Sequence, residues 1–404
     1  MESSRRNGIP AEVFLCGLGL AAMLGSCAPA VPTTPSATVP LSASATPAPT
    51  SSPTTRPSAT SSATAAPTAT VGPTPPGGAA ELVFGLAERV PGGYSYGPIV
   101  RFQVVEGRST LVTREGFEFL GMSPSGDRLL ARRDASLVLL DLEGREVALV
   151  TDQLLNASLP AVWIPETQQV AYLEDVEGDR LHIFDLKAGS AKSQPGTRNA
   201  QSLLPPSGPK TIVWLGQACE PEASCRNAWW LDPTTGGQTS LTGWVRPIPD
   251  PSAEYVAYLY ADDSGKNRLA LAPIDRSREV HPGVPGDNIL DYVWSPDGAR
   301  LLVVALVRSD YSGRWFGSRQ FLITPGTWEI RELPQTNTAN ALGLWSPDGR
   351  QVILAGTQPD GDGYDITLRR IDLTTRKVET LAPGIDLSSP NFVFVTEMAW
   401  RPVR

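Results

Sequence analysis

Two short stretches of the chain place reactive side chains at spacings that known sites use. The first is "GYSYG" at 93–97, which matches the G-x-S-x-G pattern of serine nucleophiles. That pattern needs a strand–turn–helix context and a histidine from an α/β domain, whereas this chain has 2 histidines and the pentapeptide lies within a β-type repeat. We therefore expect no catalytic role for Ser95.

The second stretch is "DGDGYD" at 360–365. Its carboxylates alternate as in calcium-binding loops, which makes Asp360, Asp362 and Asp365 candidate metal ligands by spacing. The stretch lacks the twelve-residue pattern and its closing glutamate, and hairpin turns favour the same residue types. We therefore expect neither a metal nor another cofactor.

Two of the 4 cysteines could form a cross-link. Cys219 and Cys225 close a short loop in "QACEPEASCRN", and in an exported chain such a pair is most simply a disulfide. Half of a metal site is the alternative, but neither His182 nor His281 lies near in sequence. The expected role of the disulfide is to stiffen the loop.

The first residues have the layout of an export signal. Arg5 and Arg6 precede an apolar run from Val13 to Leu24. The run is too short to remain in a bilayer as a spanning helix but suits the core of a signal peptide.

The residues that end this run are Leu-Gly-Ser-Cys, at 24–27. They resemble the lipobox of bacterial lipoproteins, in which the cysteine becomes the mature N-terminus and carries the lipid. The resemblance implies a signal peptide at 1–26, lipidation of Cys27, and export to the extracytoplasmic side of a bacterial membrane. An ordinary secretory signal with an incidental cysteine is the alternative. A lipid chain holds a protein to a membrane through its buried CH₂ groups.

Composition then divides the rest of the chain. Residues 28–79 are mostly Ala, Pro, Ser or Thr, and Arg56 is their only charged residue. Burial of the few apolar side chains in this segment would not offset the conformational entropy lost on folding. We therefore expect a disordered linker over 27–80 and a folded domain over 81–404. The net charge of −8 and the absence of a Lys/Arg run argue against nucleic-acid binding.

The folded part repeats one unit. "VWSPDGARLLVV" begins at Val293 and "GLWSPDGRQVIL" at Gly343. Weaker copies extend the pattern at intervals of 41 to 55 residues. In four copies Trp stands two places before the proline, at 163, 294, 345 and 400. The anchoring prolines are Pro124, Pro165, Pro206, Pro251, Pro296, Pro347 and Pro402.

Each unit predicts four antiparallel strands. Pro fixes φ at a turn, Asp tolerates the next corner, and Gly accepts the positive φ that starts the following strand. An apolar run such as 301–304 then indicates a strand buried on both faces, and two further strands follow. Four strands in this length form one blade of a β-propeller.

The two ends of the domain complete each other. "ELVFGLAERV" at Glu81 predicts a second strand without a first, and "VTEMAWRP" near the C-terminus predicts a first strand with nothing after it. Joined, they form one blade that closes the ring and removes its exposed edges. The prediction is an all-β, seven-bladed propeller closed by N- and C-terminal strands. Six blades are the alternative, because the copies at 201–242 and 245–282 lack the full turn motif.

The unit resembles the WD40-like or TolB-like propeller repeat of bacterial exported proteins, whose hallmark is the Trp-Ser-Pro-Asp-Gly turn. The resemblance covers residues 81–404 and concerns fold rather than activity, since such propellers have many roles. It implies that Trp294 and Trp345 pack between blades.

Loops between the second and third strands vary most in length, and they share one face with the connections between blades. Aromatic side chains gather in the long loops of three neighbouring blades, where a rigid scaffold could present them to a ligand. Capping of their own blades is the alternative. The candidate ligand-binding residues are Tyr94, Tyr96, Tyr311, Arg314, Trp315, Phe316 and Tyr364.

These observations favour a membrane-anchored, monomeric binding or scaffold module for a protein or a cell-envelope glycan, without catalysis. The alternative is a propeller hydrolase or lyase that acts on envelope glycan or peptide with acidic residues in its central channel. A spacer in a larger envelope assembly is a third possibility. Opposed carboxyls in an open channel would favour the enzyme, and an apolar channel would argue against it.

Overall fold

The computed structural model describes residues 81–401 except 91–92, 115, 158, 207, 209–211, 218–225, 242–243, 309–315, 335–338, 361–362 and 382–391. The expected signal peptide at 1–26 and linker at 27–80 lie outside this range. None of the described residues belongs to a helix with the length and apolarity that a membrane span requires.

The described residues form seven antiparallel sheets. Blade 1 combines the two ends of the domain. Its strands, from the innermost outward, are β27 (Phe392–Arg401), β1 (Glu81–Val90), β2 (Gly93–Gln103) and β3 (Arg108–Thr113). Blade 2 contains β4 (Glu118–Met122), β5 (Leu129–Arg133), β6 (Ser136–Leu140) and β7 (Glu146–Thr151). Blade 3 contains β8 (Ala161–Ile164), β9 (Gln169–Leu173), β10 (Leu181–Asp185) and β11 (Ser190–Ser193).

The remaining four blades follow in chain order. Blade 4 contains β12 (Ala200–Leu203), β13 (Ile212–Gln217), β14 (Arg226–Leu231) and β15 (Gln238–Ser240). Blade 5 contains β16 (Val245–Pro249), β17 (Tyr255–Ala261) and β18 (Asn267–Pro273). Blade 6 contains β19 (Asn288–Trp294), β20 (Leu301–Arg308), β21 (Phe316–Thr324) and β22 (Glu329–Glu332). Blade 7 contains β23 (Ala339–Trp345), β24 (Gln351–Asp360), β25 (Gly363–Asp372) and β26 (Val378–Leu381).

The fold is therefore the predicted all-β propeller, with seven blades rather than six. The expectation of four strands in every blade is wrong for blade 5, where three strands are followed by a single bridge between Leu271 and Val280. Proline has no backbone N–H to give to a sheet ladder, and Pro282 and Pro285 follow the bridge closely. A fourth strand consequently does not extend past Val280.

The predicted closure of the ring is confirmed. Strands β1 and β27 pair from Glu81 opposite Arg401 to Glu88 opposite Phe392. The buried Glu81 carboxylate accepts a bond from Arg401 Nη1 at 2.5 Å and from Arg101 Nε at 2.8 Å. A buried carboxylate is stable only with such partners, so this site joins the first and last strands electrostatically as well as through the backbone.

Apolar side chains fill every junction between neighbouring blades. Strand β20 shows why its sequence is apolar without alternation: Leu301 and Val303 pack toward blade 5, whereas Leu302 packs toward blade 7. Successive side chains of a strand point to opposite faces, and both faces of a blade are covered. Each such leucine, fully buried, contributes about 2 kcal/mol.

The Ser-Pro-Asp-Gly turn has a fixed set of hydrogen bonds. In blade 6, Ser295 Oγ accepts the N–H of Arg300 at 2.9 Å and donates to Asp297 Oδ1 at 2.5 Å. Gly298 has φ of 69° and donates its N–H to the Ser295 carbonyl at 2.8 Å. Serine and aspartate therefore hold the turn together, and glycine supplies its left-handed residue.

Blade 5 builds the same turn with the two polar residues exchanged. Asp250 stands in the serine position and accepts the N–H of Tyr255 at 2.8 Å, while the Ser252 hydroxyl donates to the Asp250 carboxylate. Ala253 takes the left-handed position with φ of 60°. In blade 2 the serine remains, and its carboxylate partner is Asp127, two positions later than the motif aspartate, at 3.1 Å from Ser123 Oγ.

The tryptophan of the motif joins neighbouring blades, as predicted. Trp294 Nε1 donates to the Ile248 carbonyl of blade 5 at 2.9 Å, and Trp345 Nε1 donates to the Val293 carbonyl of blade 6 at 3.1 Å. Both rings are buried. Trp163 occupies the same place in blade 3 and is also buried, but its Nε1 has no hydrogen-bond partner among the described residues.

This difference predicts unequal effects of two matched substitutions. Trp294→Phe should lower the free energy of unfolding by about 1 kcal/mol more than Trp163→Phe, because only the first leaves a buried carbonyl without its donor. Both remove similar apolar area, so Trp163→Phe controls for lost packing. Urea unfolding at equilibrium measures both values. Equal losses would show that the hydrogen bond between blades contributes nothing.

Candidate functional site

The structure leaves most of the predicted site residues untested. Strands β2, β21 and β25 contain the backbones of Tyr94, Phe316 and Tyr364, and their side chains are outside the described part. The candidate ligands Asp360 and Asp365 likewise lie in strands β24 and β25 without described side chains. The residues wholly outside the described range are Cys27, Cys219, Cys225, Tyr311, Arg314, Trp315 and Asp362.

Two segments expected to be long loops are largely strand. Strands β1 and β2 pair up to Val90 opposite Gly93, and β24 and β25 pair up to Asp360 opposite Gly363. The expectation of a loop was wrong because the Gly- and Asp-rich residues form only the tips of the two hairpins, and the residues beside them continue the backbone ladder. Ser95 therefore lies within a strand, opposite Glu88, and not in the strand–turn–helix context of a nucleophile.

Tyr96 is the one candidate aromatic whose side chain is described, and it contacts the neighbouring blade. Its hydroxyl accepts a hydrogen bond from Arg132 Nη2, and the Arg132 guanidinium carbon is 5.3 Å from its ring centroid. Arg132 Nε lies 2.6 Å from Glu118 Oε2. These three residues form the Tyr96 cluster, which joins blade 1 to blade 2.

The strands explain why the Tyr96 cluster assembles. Glu118 begins β4 and lies directly opposite Arg132 near the end of β5, so the two side chains share one face of the blade. Burial, and then the charge of Glu118, raises the pKa of Tyr96 well above its ordinary value. Burial also raises the pKa of Glu118, against the opposing effect of Arg132.

A second polar group lies between blades 5 and 6. Arg246 Nη2 lies 2.9 Å from Asp291 Oδ1, and Nη1 donates to the Leu290 carbonyl at 3.0 Å. The Tyr292 hydroxyl donates to the Arg246 carbonyl. Arg246 has φ of 50°, a left-handed conformation that side-chain-bearing residues adopt at a cost, and one that collects at functional sites.

Glu397 is the third polar feature. It lies on β27, and the N–H of Met398 donates to its Oε1 at 3.0 Å. Burial, followed by the nearby charges of Asp291 and Glu118, raises the pKa of Glu397 to about 7. No arginine, lysine or histidine among the described residues pairs with it. At neutral pH this carboxyl is therefore partly protonated.

Three of these polar residues stand at the same position of the repeat. Arg246, Asp291 and Glu397 each stand three places before the motif tryptophan or its equivalent, at 249, 294 and 400. The innermost strands that contain this position contact one another around the ring, as β27 does with β4 and β23. The equivalents in the other blades are Phe119, Pro160, Gln201 and Leu342. The sequence reasoning missed this layer, although counting back from each tryptophan would have revealed its polar members.

β-Bulges lie at or next to this position on the innermost strands. Six of the seven innermost strands carry an irregular pairing here, and the described β8 is the exception. The shifts fall between Phe119 and Gly121, Ala200 and Ser202, Val245 and Ile248, Ile289 and Asp291, Ala339 and Leu342, and opposite Gly85 and Leu86. A bulge changes the direction in which nearby side chains point, and these bulges lie at or beside Arg246, Asp291 and Glu397 on the innermost strands.

We call Glu118, Arg132, Arg246, Asp291 and Glu397 the channel site, because the charges of Glu118 and Asp291 act on Glu397 and each of the two is paired with an arginine. The channel site can bind polar groups and exchange a proton. Solvent reaches it, because the side chains of Arg246 and Asp291 are 30% and 32% exposed. Two guanidiniums supply donors, three carboxyls supply acceptors, and Glu397 is poised to gain or lose a proton near neutral pH. The described residues contain no group of three His, Cys, Asp or Glu side chains arranged to hold a metal ion.

Comparison with known proteins shows likeness of fold. No protein-family model matches the chain, and no curated protein matches its sequence. Oligogalacturonate lyase from Vibrio parahaemolyticus is similar over 74% of this chain and 84% of that protein, with a TM-score of 0.52 and 14% identity. The likeness is one of fold alone.

Two further solved structures are similar at lower scores. TolB from Acinetobacter baumannii matches 80% of this chain and 67% of its own, with a TM-score of 0.47 and 14% identity. A putative TolB from Agrobacterium tumefaciens matches 67% and 95%, with a TM-score of 0.44 and 16% identity. At these identities no activity transfers to this chain.

The raised pKa of Glu397 predicts a pH-dependent stability. Between its ordinary value of 4.5 and about 7 the folded protein keeps a proton that the unfolded chain has lost. The stability contributed by this proton is complete below pH 4.5 and is lost as pH rises through 7. Glu397→Gln, which cannot ionise, should therefore be more stable than the wild type at pH 8 by about 3 kcal/mol, with little difference at pH 4.5.

Denaturant unfolding across this pH range measures the effect. Glu332→Gln is the matched control, because it removes a carboxylate from an exposed ion pair with Arg319 and should change stability by less than about 0.5 kcal/mol. Parallel pH profiles for the wild type and Glu397→Gln would contradict the assigned protonation.

Proposed function

We propose that this protein is a lipid-anchored, extracytoplasmic propeller that binds a cell-envelope protein or glycan without transforming it. The observation that carries the proposal is the channel site, where charged groups of both signs line a region that solvent reaches. Ligand sites typically combine a rigid concave scaffold with a few fixed polar groups.

The fixed pairing of the channel groups supports binding. Arg132 is held by Glu118, and Arg246 by Asp291 and a backbone carbonyl. Side chains locked in this way lose little entropy when a ligand arrives, which favours affinity. Their alternating donors and acceptors suit hydroxyl and amide groups, the polar groups of glycans and polypeptides.

The anchoring part of the proposal rests on the N-terminal sequence. The short apolar run, the lipobox-like ending at Cys27 and the Ala/Pro/Ser/Thr-rich residues after it fit a domain tethered at a distance from a membrane. An extracytoplasmic location also fits the cysteine pair at 219 and 225, which would be oxidised there.

A second candidate function is supported by one observation. A carboxyl with a pKa near 7 is suited to general acid or base catalysis, and Glu397 shares the channel with Asp291 and Glu118. This arrangement favours the enzyme alternative, a hydrolase or lyase acting on envelope glycan or peptide, more than an apolar channel would. Release of new chain ends from purified envelope glycan by the wild type, and not by Glu397→Gln, would replace the binding function with this one.

Anchoring can be tested by fractionation. Cys27→Ser should move the protein from the detergent-extracted membrane fraction to the soluble fraction, because the buried acyl CH₂ groups contribute about 0.8 kcal/mol each to membrane binding. Cys16→Ser is the matched control and should leave the protein in the membrane fraction. If both variants stay with the membrane, the lipid anchor is wrong.

Binding can be tested by capture of a partner from detergent-solubilised envelope. The double variant Trp315→Ala, Tyr364→Ala should reduce the captured partner at least about ten-fold, because aromatic side chains commonly carry binding energy, and should change the melting temperature little. Val147→Ala with Leu149→Ala removes exposed apolar side chains from outer strand β7 and should leave capture unchanged. Unchanged capture with a large loss of stability would show that the aromatics cap their own blades.

A further inference from the structure

Glu397 differs from the other carboxyls of the channel in how its charge is compensated. Glu118 has Arg132 at 2.6 Å, and Asp291 has Arg246 at 2.9 Å. Glu397 receives only the N–H of Met398 within the described part of the chain. The channel site therefore contains two ion pairs and one carboxyl that has no cationic partner among the described residues.

One buried carboxylate with a structural role, that of Glu81, has two arginine partners. Glu81 lies between Arg101 and Arg401 at 2.8 and 2.5 Å, and Arg401 is on the same strand as Glu397. Glu397 is only partly buried, and a partly buried carboxylate without a cationic partner loses some of the stabilisation that water gives its charge. A second structural clamp is therefore a poor explanation of Glu397.

Among the described residues, the charges that act on Glu397 come from carboxylates and not from a cation. The residues whose charges act on Glu397 are Asp291 and Glu118, and both repel its ionised form. Each of these two is itself held by an arginine that has further bonds: Arg132 to Tyr96, and Arg246 to the Leu290 carbonyl. Rearrangement within the channel would break one ion pair to make another.

We infer that the ligand of this channel presents a primary ammonium group, which pairs with the ionised carboxylate of Glu397. The inference rests on the proposed binding function and names the chemistry that the ligand must carry. The ammonium supplies the positive charge that no described residue supplies at this position.

The free acceptor atom favours ammonium over other cations. Oε1 already accepts the Met398 N–H, so Oε2 is the oxygen left for a ligand. A guanidinium pairs best with both oxygens of a carboxylate, whereas an ammonium is a point charge that needs one. A divalent metal needs several ligands, and no such set occurs among the described side chains.

Proton release should accompany binding. Because burial raises the pKa of Glu397 to about 7, a bound ammonium must displace the proton of the neutral form below that pH. Affinity for an ammonium that stays charged, such as that of a lysine side chain, should therefore rise between pH 5.5 and 8 by about thirty-fold.

The test uses the full-length protein in detergent and two pairs of probes in isothermal titration calorimetry. One pair is a glucosamine tetramer and its N-acetylated form, and the other is a lysine-containing tetrapeptide and its Nε-acetylated form. At pH 8 the lysine probe should bind at least about ten-fold more tightly than its acetylated form. The two pairs are compared at pH 7, where an amino-sugar ammonium still carries part of its charge, and the pair with the larger ratio identifies an amino sugar or a peptide as the source of the ammonium.

The variants decide whether Glu397 is responsible. Glu397→Gln should abolish the preference for the free amine and its pH dependence, and Glu332→Gln, in an exposed ion pair, should keep both. No amine preference in either pair, or a preference that survives Glu397→Gln, overturns the inference. The proposed function is tested separately by partner capture, so equal binding of free and acetylated probes would remove the ammonium and leave the binding function standing.

Discussion

The pairing of β1 with β27 is the interaction on which the rest of the structure depends. An open array of blades would expose a strand edge at each end, and the backbone ladder between Glu81 and Arg401 removes both. The Glu81 carboxylate adds bonds to Arg101 and Arg401. Arg101 and Arg401 also donate to the Leu142 and Gly126 carbonyls of blade 2, so closure of blade 1 is linked to its neighbour.

Closure also creates the channel site. Glu397 enters the ring with the last strand, and only then does it lie near Glu118 at the start of blade 2 and Asp291 in blade 6. The left-handed backbone of Arg246 lowers stability, and so does ionisation of Glu397, which has no cationic partner among the described residues. Such costs persist where the surrounding structure is rigid enough to impose them and where function requires them.

Much of this fold could be predicted from the sequence because the turn motif carries its own physical constraints. The spacing of the anchoring prolines located the seven units. The unmatched strands near Leu82 and Ala399 correctly predicted the blade that the two ends share. The three-stranded blade 5 was not predictable from apolar runs, since its missing strand depends on prolines outside any run. The channel residues were also missed. Their offset from tryptophan is visible in the sequence, but bulges decide which side chains face the axis, and a bulge leaves no local signature.

The three forms of the turn have a consequence for how such a chain can diverge. The turn needs one hydroxyl and one carboxylate near its corner, and Ser295 with Asp297, Asp250 with Ser252, and Ser123 with Asp127 all satisfy that need. Evolution can therefore exchange the two groups, or displace one of them, while the backbone path stays the same. Blade 5 keeps only the proline of Ser-Pro-Asp-Gly and still forms the hydrogen bonds of the turn, so the repeat is preserved more fully in its bonding pattern than in its residue identities.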